Sequence, residues 1–292
     1  ETPYSVTSRL GGPEYETLAL LGSNLDITDP VAVAKANELC NNFGLDTIAM
    51  GGLAGYLFEC LEKGLINREE NDCSNLEFGH ADGLLKLIED VAFRKGIGDI
   101  LADGFMAAVE HWGEKTREYA IQVKNHGLPA HLPQVKPSQA LMYAVCSLGA
   151  DHMSSEHDGL LAGQGEAAKG LGIFGQGSTD STGLDKVRMT VYSQFYYSML
   201  DALNLCMFCW GPGNLFTYRE LEDFVSWTTG WECTLWELLK AGERRVNMMR
   251  LINIRQGFTN DHDKLPDRLF LPQPEGPEKG KHVDRNAFQS MV

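Results

Sequence analysis

Long apolar runs are missing from this 292-residue chain. A membrane-spanning helix takes about 20 predominantly apolar residues, and no stretch comes near that. Positive charge is scarce: Lys and Arg number 25 against 40 Asp and Glu, a formal net charge of −15. A surface of that sign repels phosphate backbones and anionic lipid, so neither nucleic acid nor a membrane is an expected partner. A signal peptide is missing too. The first residues, ETPYSVTSRLGG, have no Met, no basic segment and no apolar core, and read as the middle of a longer polypeptide. Alternating strand patterns are nearly absent; the best, YAIQVKN at 119–125, is short. The seven cysteines are odd in number and irregularly spaced. That excludes a simple disulfide framework and suits reduced thiols in a cytoplasmic protein. Only Cys206 and Cys209 have the spacing of a metal or redox pair.

What is there is helical periodicity. Hydrophobic residues make up 43% and charged residues 22%, enough for one large core or two smaller ones. DPVAVAKANELCNNFG (29–44) has Pro30 at a first helical position and Gly44 past the end. DTIAMGGLAGYLFECLEKG (46–64) opens on Asp46 as a cap and closes at Gly64. Further helices are expected over 79–96, over 98–113 with Asp99 near the cap, and over 136–149 ending at Gly149. A wide apolar face, Tyr192, Phe195, Tyr196, Met199, Leu200 and Leu203, precedes Cys206, and two more helices follow from Tyr218 and from Leu235. The expected fold is mainly α. The Gly-rich stretch 159–183 reads as a long loop, either functional or a tolerated insertion. The Pro- and Gly-rich tail over 265–284 reads as an extended wrap.

One short pattern occurs twice. CNNFGLDTIAMGG (40–52) ends a helix at Phe43, turns at Gly44 and starts a second helix at Asp46. DALNLCMFC (201–209) has the same rhythm, with Asn204 for Gly44, Leu205 for Leu45 and Cys206 for Asp46. Two readings stay open for such a corner. It is an ordinary helix–helix turn with a capping Asp, or it is a site. Free N–H groups at a helix start attract anions, and a carboxylate beside them takes paired N–H bonds from an amidine-like edge such as a pterin's amino-pyrimidinone. A thiolate in the capping position is a soft-metal ligand.

The paired corners resemble the D-x-x-G-L-(D/C) motifs of the tungsten-containing aldehyde ferredoxin oxidoreductase family. The first reads Asn41, Asn42, Phe43, Gly44, Leu45, Asp46; the second reads Asp201, Ala202, Leu203, Asn204, Leu205, Cys206. Asn41 stands where the family has an acid and Asn204 where it has Gly; Asn tolerates left-handed backbone. GGPEYETLALLGSNLDI, KANELCNNFGLDTI, RKGIGDILADG, LPAHLP, LGADHM and INIRQGFT also look like family segments in order. The resemblance covers nearly the whole chain, the Gly-rich stretch excepted. It implies two helical domains, 1–135 with the first corner and 136–292 with the second. It also implies an N-terminal β domain and a C-x2-C-x3-C segment upstream; no such triple spacing occurs in this sequence. The implied cofactor is a tungsten (or molybdenum) bis-pterin, held through Asn41, Gly44, Leu45, Asp46 and Thr47 and through Asp201, Asn204 and Leu205. Cys206 is the implied ligand of a 4Fe-4S cluster, and the resemblance allows Mg2+ bridging the pterin phosphates. The implied reaction takes aldehyde and water to a carboxylic acid, with electrons passing through the cluster to ferredoxin or an electron-transfer subunit. The chain's own N-terminal domain is a further implied partner, and a homodimer is allowed.

Glu16, in PEYET, and His152, in GADHM, are the implied catalytic residues: Glu16 as a general base, His152 as a charge stabiliser. Without the resemblance, Glu16 reads as a surface acid and His152 as a satisfied polar residue. Glu14 ranks below Glu16, His131 is a lesser lining candidate, and His157 is a register alternative to His152. Cys209 reads as a packed thiol, and Glu77-Phe78-Gly79-His80 as a weak E-x-x-H match lacking a second His. Trp210 and Trp227 read as core or channel lining. Two rival functions share the pattern: another reaction on the same scaffold, such as ring reduction of the benzoyl-CoA reductase type, and a non-catalytic cofactor-binding module.

Overall fold

Helix starts and stops follow local chemistry closely. A computed structural model describes residues 3–69, 71, 73–159, 165–174 and 178–292, and divides the chain into two units, Glu1–Ala130 and His131–Val292. In the first unit, α1 (Tyr15–Leu21) is capped by the Glu14 carboxylate, which accepts from Glu16 N and Thr17 N. α2 (Pro30–Phe43) has Asp29 as its cap and Pro30 in its first turn, and ends at Gly44. α3 (Thr47–Glu62) is capped by Asp46. α4 (Ala81–Ala92) stops short of the expected Gly96, because the backbone turns left-handed at Arg94, φ 51°. The helix expected over 98–113 is two, α5 (Ile97–Leu101) and α6 (Phe105–Trp112), broken where Gly104 takes φ 89°. The strand pattern near 119–125 becomes a minimal antiparallel hairpin, β1 (Gln122–Val123) and β2 (His126–Gly127). Its two turn residues, Lys124 and Asn125, both have positive φ, which suits the twist of a two-residue hairpin. One apolar core unites this unit, with Leu21, Leu57, Phe58 and Leu101 fully enclosed.

The second unit is built around one long helix pair. Its helices are α7 (Pro137–Val145), α8 (Gly165–Gly170), α9 (Leu184–Ala202), α10 (Met207–Trp210), α11 (Tyr218–Thr229), α12 (Leu235–Arg255) and α13 (Arg285–Met291). α7 leaves the helix at Cys146 instead of Gly149, as the chain goes extended there, ψ 137°. α8 occupies part of the expected loop over 159–183; residues 160–164 and 175–177 of that stretch lie outside the described residues. A helix follows the Pro- and Gly-rich tail. Asp284 caps α13, Phe288 is buried, and its ring lies 5.7 Å from Phe270. α11 and α12 each open with a reciprocal capping box, Thr217–Glu220 and Thr234–Glu237. α12 lies along α9 with backbone nearly touching backbone: a Cβ on Gly242 would sit 1.9 Å from the Phe195 carbonyl oxygen.

No helix among the described residues is long and apolar enough to cross a membrane. None of the seven cysteines forms a disulfide, and Cys40, Cys60, Cys73 and Cys146 are buried.

The Gly242 contact makes a stability prediction. Gly242→Ala forces α12 off α9, and overpacking of that kind costs roughly 1–3 kcal/mol. Gly12→Ala meets nothing within 4 Å and serves as the control. Denaturant unfolding should place the control within about 0.5 kcal/mol of the parent.

Candidate functional site

The two corners are the same structure. Gly44 closes α2 at φ 69°, and Asn204 closes α9 at φ 57°. In each, the N–H of the following leucine reaches back to the helix: Leu45 N to Cys40 O at 2.9 Å, Leu205 N to Leu200 O at 2.9 Å. That six-to-one closure is the Schellman arrangement, and it needs a left-handed residue before the leucine. The next residue caps the next helix. Asp46 has φ −71° and ψ 123°, Cys206 φ −71° and ψ 124°. Exposure also matches: Asn41, Asn42, Gly44 and Asp46 are exposed, as are Asp201, Ala202, Asn204 and Cys206, with the residues between them half-buried.

The corners differ in their side chains. Asp46 Oδ1 accepts from Ala49 N at 2.9 Å. Cys206 makes no side-chain cap bond; Cys209 N goes to the Cys206 carbonyl instead. Thr47 shares a 2.8 Å hydroxyl bond with Thr17, which ties the first corner to α1. Asn41 Nδ2 turns back onto α2, donating to Asn37 O at 2.8 Å and Asn37 Oδ1 at 3.1 Å. Asp201 Oδ2 accepts from Arg245 Nη1 at 3.0 Å. Neither Asn37 nor Arg245 stands out in the sequence. Arg245 follows Gly242 by one turn, but only the register of α12 on α9 shows that it reaches Asp201.

Glu16 lies beside Thr17 in the first turn of α1 and is buried, 2% exposed. A surface acid is therefore ruled out for it. Its Oε2 accepts from Ala130 N at 2.7 Å, and Tyr15 OH donates to the Ala130 carbonyl at 2.9 Å. The positive end of α1 favours a carboxylate there. Glu14, ranked lower, is the cap of that helix.

In the second unit the structure gathers His131, His152 and His157. Their ring centroids are 5.0 Å (131–152), 4.6 Å (131–157) and 6.3 Å (152–157) apart. Lys136 Nζ lies 3.2 Å from His131 Nδ1, so that nitrogen accepts. His157 Nε2 lies 3.1 Å from the His152 carbonyl and is its donor. Burial, with His131 nearby, pushes the His157 pKa down to about 4. The flanking residues anchor this segment. Asp158 accepts from Ser138 N and from Lys186, an ion pair exposed by only 3% and 4%. Glu156 accepts from Tyr197 OH at 2.8 Å, and burial raises its pKa. No periodicity marks these histidines, because they lie outside regular helix.

Other candidates have structural duties. His80 caps α4, its Nδ1 accepting from Gly83 N at 3.0 Å, so the E-x-x-H match is a helix start. Cys209 is half-buried and its carbonyl accepts from Leu215 N and Phe216 N. Trp210 stacks on Phe216, centroids 4.3 Å apart. Trp227 is not a core residue: it is 82% exposed, because α11 buries Leu221 and Val225 on its other side.

A family profile described as "Aldehyde ferredoxin oxidoreductase, domains 2 & 3" matches residues 1–292. The chain belongs to the aldehyde ferredoxin oxidoreductase family. It is 34% identical over 278 residues to the tungsten-containing aldehyde ferredoxin oxidoreductase of Thermococcus kodakarensis, covering 94% of this chain and 44% of that protein. The Pyrococcus furiosus protein of the same name is 34% identical over 276 residues, covering 93% and 43%. A second P. furiosus protein, "Aliphatic sulfonate oxidoreductase, WOR-like subunit", is 27% identical over 295 residues, covering 96% and 42%. The chain thus spans less than half the length of these relatives. The same fold occurs in the benzoyl-coenzyme A reductase complex BamBC, with a TM-score of 0.74 at 19% identity over 98% of this chain and 46% of that one.

The depressed His157 pKa predicts a pH dependence. Between the ordinary value of 6.5 and about 4, unfolded chains bind a proton at this ring that folded chains do not. Its stability contribution is therefore full above about 6.5 and is lost as pH falls toward about 4. The whole effect is at most about 3 kcal/mol. His157→Gln keeps a side-chain donor and removes the titration, so unfolding free energies at pH 7 and pH 5 should differ less than in the parent.

Proposed function

We propose that this chain is the helical, cofactor-holding part of a tungsten bis-pterin oxidoreductase that converts aldehydes to carboxylic acids and passes electrons through a 4Fe-4S cluster to ferredoxin. The observation that carries the reading is the corner built twice, with matched backbone and matched exposure, ending once in Asp46 and once in Cys206. The donor set fits the implied groups. Both corners are open, and a Cβ on Gly44 would meet nothing within 4 Å. One corner offers a carboxylate to N–H donors, and the other a thiol that caps nothing and so is available to a soft metal. When bound, the tungsten pterin supplies the two-electron chemistry. The chain supplies position and proton handling. Asp46, Asn41 and Asp201 accept N–H bonds from the pterins, and Thr47 supports the first corner through Thr17. Glu16, held at Oε2 by Ala130, takes a proton at its other carboxylate oxygen from water or aldehyde hydrate. His152 donates toward the negative charge that develops on the aldehyde oxygen.

Two experiments on the full-length protein test this. Cys206→Ser should abolish or shift the low-temperature EPR signal of the cluster, and Cys209→Ser should leave it in place. The reverse pattern would assign the ligand to Cys209. Glu16→Gln keeps size and hydrogen bonding but removes the base. With simple aldehydes and a viologen acceptor, kcat should fall by about 10²–10⁴ while tungsten and pterin content hold. His152→Asn should lower kcat as well, and rates within about twofold of the parent for both variants would remove their proposed roles.

A further inference from the structure

Each corner begins with a polar side chain, Asn41 or Asp201, five residues before its capping residue. The two differ in charge, and the neighbours of each differ to match. Asn41 Nδ2 is held by two acceptors on the preceding turn, Asn37 O at 2.8 Å and Asn37 Oδ1 at 3.1 Å. Asn37 is buried, 5% exposed, so it is a fixed anchor. Asp201 Oδ2 is held by Arg245 Nη1 at 3.0 Å, and the same nitrogen donates to Ser198 Oγ at 3.1 Å. Arg245 reaches this point because Gly242, one turn earlier, lets α12 meet α9 backbone to backbone. In both corners one head-group atom is tied down. The other, Asn41 Oδ1 or Asp201 Oδ1, has no hydrogen-bond partner among the described residues.

We propose that Asn37 and Arg245 are positioning residues that aim one acceptor oxygen from each corner, Asn41 Oδ1 and Asp201 Oδ1, at the N–H donors of a pterin's amino-pyrimidinone edge. The inference rests on the function proposed above and adds the residues that set the aim. An amide oxygen and a carboxylate oxygen can each take two N–H donors. Asn41 thus keeps the acceptor while giving up the charge. Its nitrogen also pairs with the two acceptors of Asn37, which a carboxylate could not do.

A counterintuitive expectation follows. Asn41→Asp matches the family pattern by sequence, yet it sets a carboxylate against Asn37 O and Oδ1, acceptor facing acceptor. The loaded full-length protein should therefore release pterin faster as Asn41→Asp than as the parent. Arg245→Met should speed release by about tenfold, the loss of one charge-assisted bond, and Arg245→Lys should fall between. Release at one elevated temperature and pterin per polypeptide are the readouts, with circular dichroism as the check on folding. If Arg245 acts through Asp201, Arg245→Met adds nothing in an Asp201→Ala background. The same increment in both backgrounds, or parent-like retention in Asn41→Asp, overturns the inference. Should Arg245→Met fail to fold, Arg245→Lys and Asn41→Asp decide. A parent that carries no pterin overturns the functional reading itself, whereas a loaded parent with unaffected variants overturns only this one.

Discussion

A left-handed residue at the end of α2 and another at the end of α9 make the rest of the arrangement possible. With Gly44 and Asn204 at positive φ, the following leucine N–H closes on the helix, and the chain leaves at a fixed angle into a capping residue. The capping residue then has the same backbone in both places, whatever its side chain. A non-glycine residue other than Asn or Asp would pay roughly 1–2 kcal/mol for that conformation. The turn is thus restricted to a few residue types while the capping position beside it stays free to vary. That separation lets one motif present a carboxylate in one unit and a thiol in the other.

The second unit shows how irregular backbone can be held as firmly as helix. The segment around His152 and His157 is not helical, yet polar anchors fix it at both Glu156 and Asp158. The Asp158–Lys186 pair is almost fully enclosed. Desolvation of such a pair is costly, and extra hydrogen bonds must offset it. Asp158 has them from Ser138 N and Ser138 Oγ, and Lys186 Nζ donates to the Thr179 carbonyl at 3.2 Å. Removing one partner would leave a buried charge alone, so the network specifies the position of the histidines as well as stabilising the unit.

How much of this was legible in the sequence depends on the range of the interaction. Caps, prolines and glycines act over a few residues, so Pro30, Gly44 and Asp46 marked α2, the corner and α3 correctly. Left-handed Arg94 is not legible, because Arg carries no general preference for positive φ, and α4 ends sooner than its periodicity predicts. The terminal helix α13 was hidden by the Pro- and Gly-rich tail before it, since its burial depends on Phe270 elsewhere in that tail. Both corners were visible as a repeated pattern. Their anchors were not: Asn37 looks like any helical polar residue, and Arg245 acquires meaning only once α12 is set against α9. A core place for Trp227 is excluded only by the structure, for the related reason that apolar character alone does not say which face of α11 is covered.

Why the thiol occurs at the second corner and not the first follows from helix length. α3 runs 16 residues through the core of its unit, and the Asp46 cap satisfies one of its orphan N–H groups. Losing such a cap costs about 1 kcal/mol. α10 has four residues, and both Cys209 N and Trp210 N already bond to the Cys206 carbonyl. Little helix depends on a side-chain cap there, so a weak acceptor such as sulfur is tolerated. Environment sharpens the contrast between thiols. Cys40, one turn before Gly44, is buried, and that burial, with the Asp46 charge nearby, pushes its pKa up to about 12. It stays protonated and inert. Cys206 is exposed at the start of a helix that does not need it as a cap. The fold thus encloses the thiol beside the first corner and leaves the thiol that caps the second one open.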